Sequence, residues 1–241
     1  MAVATTMRRA LAGDLPERYV PESWRRPFLE RVNAELRPGQ AVLDVGAGRA
    51  PTVLGPDRPA GMHYVGLDIS ADELAAAPPG SYDETVTGDV TRFIPEFADR
   101  FDLALSYQVF EHVKPLSAAL DHIRRYLKDG GVMVAQLSGT FSLFGLVNRV
   151  VPHELGVKAM ERFLNRDPES VFPAYYDHCW YSALERLLRP WESAEIVPLY
   201  VGAGYLGFAR PLQAVYLAFE ELAWRADRRN LASYYIIVAR A

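Results

Sequence analysis

AVLDVGAGRA, residues 41–50, opens on apolar, β-favouring residues (Val42, Leu43, Val45) interrupted by one acid, Asp44. It closes on Gly46-Ala47-Gly48, where two glycines accept backbone angles that residues with a side chain resist. An apolar run bounded by glycines reads as a buried strand running into a tight turn. In an open α/β sheet, that turn at the carboxyl end of a strand is where a nucleotide-like ligand sits. Glycines there bring freed backbone amides up to the ligand's polar atoms.

The spacing separates two classes of such turns. A dinucleotide turn requires G-x-G-x-x-G, and here the third position is Pro51. Asp44-x-Gly46-x-Gly48 resembles instead motif I of the class I S-adenosylmethionine (SAM)-dependent methyltransferases. A second apolar segment, MHYVGLDIS (62–70), carries Asp68 at its end, followed by Ile69. The resemblance implies that this acid takes both ribose hydroxyls of SAM, since a carboxylate can accept from two donors at once. Gly88-Asp89-Val90 is similar to the family's G-D-[VIL] motif, which assigns Asp89 to the adenine amino group and the Val90 amide to a ring nitrogen. FDLALSYQVFEHV (101–113) and Leu127-x-Asp129-Gly130-Gly131 resemble the fourth-strand motif and the approach to the fifth strand in the small-molecule branch. Ser106 and Tyr107 fall at the end of that fourth strand, where the resemblance implies contact with the cofactor, and Tyr107 could line the acceptor instead. The motifs follow at roughly twenty-residue steps, the pitch of repeated strand–helix units.

The expected fold is therefore α/β: a Rossmann-like seven-stranded sheet, mostly parallel with an antiparallel last strand, helices on both faces and a lid insertion after strand 5. At 241 residues the chain suits a single domain over 1–241. The net charge of −4 gives no electrostatic footprint for nucleic acid. The lone Cys179 excludes a disulfide framework and fits a cytoplasmic setting. No apolar run reaches membrane-spanning length.

A helix is expected from about Ser23 to Leu36, with Trp24, Phe28, Val32 and Leu36 on one stripe. After the glycine corner, Pro51, Gly55, Pro56, Pro59 and Gly61 replace the family's long first helix, leaving a short turn near Thr52 and then a loop. Short helices are expected at 71–76 and 91–98, and a clear one at 116–127. Residues 138–178 exceed a normal connection and are expected to form a lid over the acceptor. The apolar Phe141, Leu143, Phe144 and Leu146 there could instead extend the core or a homodimer contact. A second, helical insertion (about 205–229) carries Leu212, Val215, Tyr216, Phe219 and Leu222 at amphipathic spacing.

Methyl transfer to an alcohol needs an acceptor held close and a base for its proton. His112, at the mouth of the expected site, and His153 and His178, in the insertion, are candidate bases, with Tyr176 beside them. His63 and His122 read as structural. Gln108-x-x-Glu111-His112 looks like the metal-binding E-x-x-E-H of methyltransferases acting on small-RNA 3′ ends, with Gln in the first place. If helical, these three share a face and could hold a divalent cation such as Mg. Tyr175 and Tyr176 suit a stacked sugar or phenol. Segments 172–178 and 232–240 resemble bacterial methyltransferases of glycan or glycolipid assembly, which implies a saccharide hydroxyl as acceptor, ahead of a phenolic or polyketide one. The N-methyltransferase motif [ND]-P-P-[YF] is absent from the end of strand 4, where Leu105-Ser106-Tyr107-Gln108 stands. Two other classes remain open: a SAM-binding subunit without turnover, and a nicotinamide oxidoreductase.

Overall fold

The computed structural model describes residues 15–19, 22–142 and 173–241, with Leu11 and Gly145. Seven strands form one sheet in the order β3-β2-β1-β4-β5-β7-β6. They are β1 (Ala41–Val45), β2 (His63–Asp68), β3 (Glu84–Thr87), β4 (Phe101–Tyr107), β5 (Leu127–Ser138), β6 (Ser193–Leu199) and β7 (Tyr234–Arg240). The first five pair in parallel. β7 runs antiparallel to both of its neighbours, β5 and β6. The expected fold is the one found.

Central strands buried on both faces need continuous apolar runs rather than alternation. In β1, Leu43 and Val45 face one cluster with Phe101, Phe110 and Leu120, while Val42 faces the other with Phe28 and Tyr64. On that second side lies α1 (Arg26–Glu35), with Pro27 in its first turn and Phe28 and Val32 fully buried. On the first side lies α3 (Leu116–Tyr126), held by Leu116, Leu120 and Ile123. Leu127, expected to end that helix, begins β5 instead. The short α2 (Ala71–Ala75) is capped by Ser70, whose hydroxyl accepts the Glu73 amide.

The proline-rich stretch after the glycine corner forms no long helix, as expected, but the turn expected near Thr52 is a bend there and the single 3-10 turn falls at Gly55–Asp57. Between 91 and 98 no α-helix forms. Pro95 supports only a 3-10 turn at Pro95–Phe97, which buries Phe97 against Phe101 and Tyr126. α4 (Tyr181–Leu187) leads into β6, and α5 (Arg210–Arg225) stands between β6 and β7. The segment at Glu17–Tyr19 is pinned to α5: the Tyr19 hydroxyl donates to Glu220 and Arg18 pairs with Glu221. Most of the expected lid, His153 included, lies outside the described residues.

Candidate functional site

β1 hydrogen-bonds to β2 on one side and β4 on the other, so the crossovers leave it in opposite directions. A crevice opens at such a switch point, at the carboxyl ends of the strands. Here it is a cleft of about 840 Å³, walled by Gly46, Gly48, Asp68, Asp89, Tyr107 and His112 among others.

The glycine corner is built tightly. Gly46 has φ +70°, and a Cβ on it would fall 2.2 Å from Val109 Cγ2. Gly48 has φ +51° and lies next to the carboxylates of Asp68 and Glu73. Asp68 joins two elements: its Oδ2 accepts the Gly48 amide at 2.9 Å and its Oδ1 accepts the Ser70 amide at 2.9 Å. Each oxygen keeps a further lone pair for a donor in the cleft. Asp89 uses Oδ1 for the Thr91 amide and hydroxyl, at 2.8 and 2.7 Å, which leaves Oδ2 for a ligand. Ile69, 63 % exposed, adds an apolar wall beside Asp68, and Val90 lines the cleft next to Asp89.

The opposite wall comes from the end of β4 and the returning end of the insertion. Phe110–His112 is a 3-10 turn, and the Glu111 carbonyl accepts the amides of both Tyr175 and Tyr176. This brings Pro173 and Tyr175 to the cleft. His112 Nδ1 lies 3.1 Å from the Pro173 carbonyl. A carbonyl only accepts, so in the neutral ring Nδ1 carries the hydrogen and Nε2 keeps its lone pair. Tyr107 packs on Phe28 at 5.0 Å between ring centres, and burial pushes its phenol up to about 12 against the opposing pull of Arg25.

Several expected site residues stand elsewhere. Asp44 does not reach the cleft. It is buried, and its carboxylate accepts the Thr52 amide, the Thr52 hydroxyl and the Tyr64 hydroxyl, each within 2.8 Å. Burial raises its pKa and those hydrogen bonds draw it back. Ser106 is buried as well, with its hydroxyl directed at the Val45 carbonyl. Tyr176 is buried in the core beside Cys179. His178 stacks on Trp180 and bonds Asp177, outside the cleft. Of the expected histidines among the described residues, only His112 lines the cleft.

The metal-ligand grouping is not assembled. It requires a helix through residues 108–112, but Gln108 has φ +57° and only the 3-10 turn follows. Glu111 is turned inward to the Ser138 amide, while His112 bonds out to Pro173. No group of three or more potential ligands converges among the described residues.

That inward turn exposes a feature the motifs did not signal. Gln136 is fully buried, and both of its amide atoms lack partners. Glu111 Oε2 and Gln108 Nε2 also lack partners, while Ser138 donates its hydroxyl to Gln108. Burial holds the Glu111 carboxyl above its usual range. Buried polar groups are ordinarily satisfied, so this cluster behind Tyr107 and Gln108 stores unused hydrogen-bonding capacity. A glutamine inside an apolar strand, VMVAQL, was the only sequence signal for it.

Fold and crevice together are those of a class I SAM-dependent methyltransferase. Residues 17–195 match the pattern of the family described as "Methyltransferase domain", and the chain belongs to that family. A ubiquinone biosynthesis O-methyltransferase of Nitrobacter winogradskyi is 34% identical over 211 residues, 84% of this chain and 69% of that protein. Its counterpart in Rhodopseudomonas palustris is 30% identical over 140 residues, 56% of this chain and 54% of the relative, so the chain spans about half the length of such relatives. Among solved structures, a SAM-dependent methyltransferase from Mesorhizobium loti shares the fold at TM-score 0.52 and 18% identity, covering 89% of this chain and 96% of that one. Phosphoethanolamine N-methyltransferase 2 of Haemonchus contortus, in complex with SAM, does so at 0.54 and 14%, covering 90% and 52%.

Proposed function

We propose that the chain transfers a methyl group from SAM to a hydroxyl of a small, ring-bearing acceptor. The observation that carries the reading is the convergence of Asp68, Asp89 and the glycine corner on one cleft whose far wall is His112. The spare lone pairs of Asp68 suit a vicinal diol, and Asp89 Oδ2 suits an exocyclic amine. Ile69 and Val90 offer apolar surface to a flat base. Gly46 lets the turn pack against Val109, while Gly48 leaves open space beside the Asp68 carboxylate, and this corner accommodates the amino-acid end of the cofactor. SAM supplies an activated methyl, so the chain's own work is alignment and proton removal. His112 Nε2, oriented through the Pro173 carbonyl, takes the hydroxyl proton.

The relatives are named for O-methylation, which supports a hydroxyl acceptor over an amine. They name no saccharide, so the glycan expectation has no support from them. Tyr107 and Tyr175 wall the cleft with aromatic faces, which favours a ring-bearing alcohol or phenol.

Isothermal titration with S-adenosylhomocysteine tests the cofactor half: binding to the wild type and its loss in Asp68→Ala are expected, and equal affinities would overturn it. Incubation with labelled SAM and separate panels of phenols, polyols and amines tests the acceptor half. Label in an ether product supports O-methylation, and label confined to amines refutes it. Cofactor binding without transfer to any panel member would favour the non-catalytic reading.

A further inference from the structure

The helix α5 carries apolar residues on its outer side as well as on the side it buries. Its two acids, Glu220 and Glu221, are buried, while Leu212, Val215 and Leu222 are each about half exposed. With Phe208 (85 % exposed) just before the helix and the half-buried Phe219, they recur at steps of four and three, which places them on one stripe. The burial of the two acids has a structural cause. Glu220 accepts the Tyr19 hydroxyl, the Gly202 and Ala203 amides and the Ser233 hydroxyl, while Glu221 pairs with Arg18 and Arg225. These acids share the buried face with Ala214, Tyr216, Leu217, Ala218 and Ala223, so the core takes one apolar face of the helix and a second apolar stripe is left facing out.

We infer that this stripe docks the protein on an anionic lipid surface, with α5 lying in the plane of the interface. Charge favours that occupant. Between Phe208 and Arg225 no acid is exposed, and Arg210 and Arg225 stand at the two ends of the helix with Arg228 just beyond. The next acid along the chain is Asp227, which pairs with Arg229. A chain of net charge −4 thus turns a locally cationic, apolar edge outward. Apolar contact combined with basic flanks is what anionic bilayers attract. Self-association fits less well. Two such helices packed antiparallel would set Arg210 of one copy against Arg225 and Arg228 of the other. The repeat also spans only about two heptads, short of the three or four that a coiled coil needs. No helix among the described residues is long and apolar enough to cross a membrane. Contact is therefore at the surface. The inference stands apart from the cofactor reading, because the stripe is not part of the cleft.

Flotation of the full chain with vesicles of phosphatidylcholine and phosphatidylglycerol in equal parts tests it. The wild type is expected to rise with them, less so with pure phosphatidylcholine and less at high salt. Val215→Asp/Leu222→Asp is expected to weaken the partition roughly tenfold or more, with unchanged thermal midpoint and unchanged S-adenosylhomocysteine affinity. Absence of wild-type flotation, or equal flotation of the variant, would overturn the inference. So would light scattering that shows a dimer dissociated by the same substitutions, since the occupant would then be a second copy.

Discussion

The Asp68 carboxylate at the end of β2 accepts the amide of Gly48 in the corner that follows β1, at 2.9 Å. One side chain therefore both shapes the glycine turn and faces the cleft. Removing it with Asp68→Ala should weaken S-adenosylhomocysteine binding at least tenfold, because a charge-assisted hydrogen bond is worth about 1.5–3 kcal/mol. Asp68→Asn keeps one acceptor oxygen, for either the Gly48 or the Ser70 amide, and should lower the thermal midpoint less than Asp68→Ala while still losing affinity. Calorimetry and thermal melts on the pair separate the two duties.

Gly46 meets Val109 without room for a methyl group. Gly46→Ala should destabilise by about 1–3 kcal/mol through overpacking, with an added cost of about 1–2 kcal/mol for a left-handed backbone at alanine. The double variant Gly46→Ala/Val109→Ala should recover the steric part alone. Urea titration of the three proteins checks this, and full recovery would show that the backbone angle carries no strain.

Glu111 is buried with one carboxylate oxygen unpartnered, and burial raises its pKa. A carboxyl whose folded-state pKa lies above its unfolded value binds its proton more tightly when folded. It therefore lowers stability progressively as pH rises through the unfolded value, near about 4.3. Glu111→Gln removes the buried charge while keeping an acceptor for the Ser138 amide, and should accordingly stabilise the protein at neutral pH. The gain should vanish below the unfolded carboxylate range, where Glu111 is neutral in both states. Melting curves of both proteins across the acid-to-neutral range test the sign.

His112 holds its ring through the Pro173 carbonyl. On the proposed chemistry, His112→Asn should slow turnover by roughly 10²–10⁴-fold, the usual contribution of a general base. S-adenosylhomocysteine affinity should stay within a few fold. His178→Ala, by contrast, removes a ring stacked on Trp180 away from the cleft and should leave turnover nearly unchanged. Equal losses in the two variants would remove His112 from its assigned role.

Motif order and strand pitch made the sheet readable, because buried parallel strands need apolar runs, and those of β1 and β2 stop at Gly46 and Asp68. The same logic singled out Asp68 and Asp89, both of which line the cleft. It failed at Asp44, where the deciding partner is Tyr64, twenty positions away in sequence and adjacent only once β1 and β2 pair. It failed at Gln108-x-x-Glu111-His112 for a local reason: a left-handed angle at Gln108 breaks the helical phase on which a shared face depends. The outward stripe of α5 could not have been read from periodicity, which shows that a helix has two sides but not which side the fold will cover. The buried side combines the partners of Glu220 with the packing of Ala214, Tyr216 and Leu217.

β7 lies between β5 and β6, although it is the last of the seven strands along the chain. During synthesis the ribosome must therefore pass residue 240 before the gap between its two neighbours can be filled. Until then both would present open edges to other nascent chains. A translation arrest between residues 200 and 233 should hold the protein in a chaperone-dependent, aggregation-prone state, even though every cleft-lining residue from Val45 to Tyr175 has already been made.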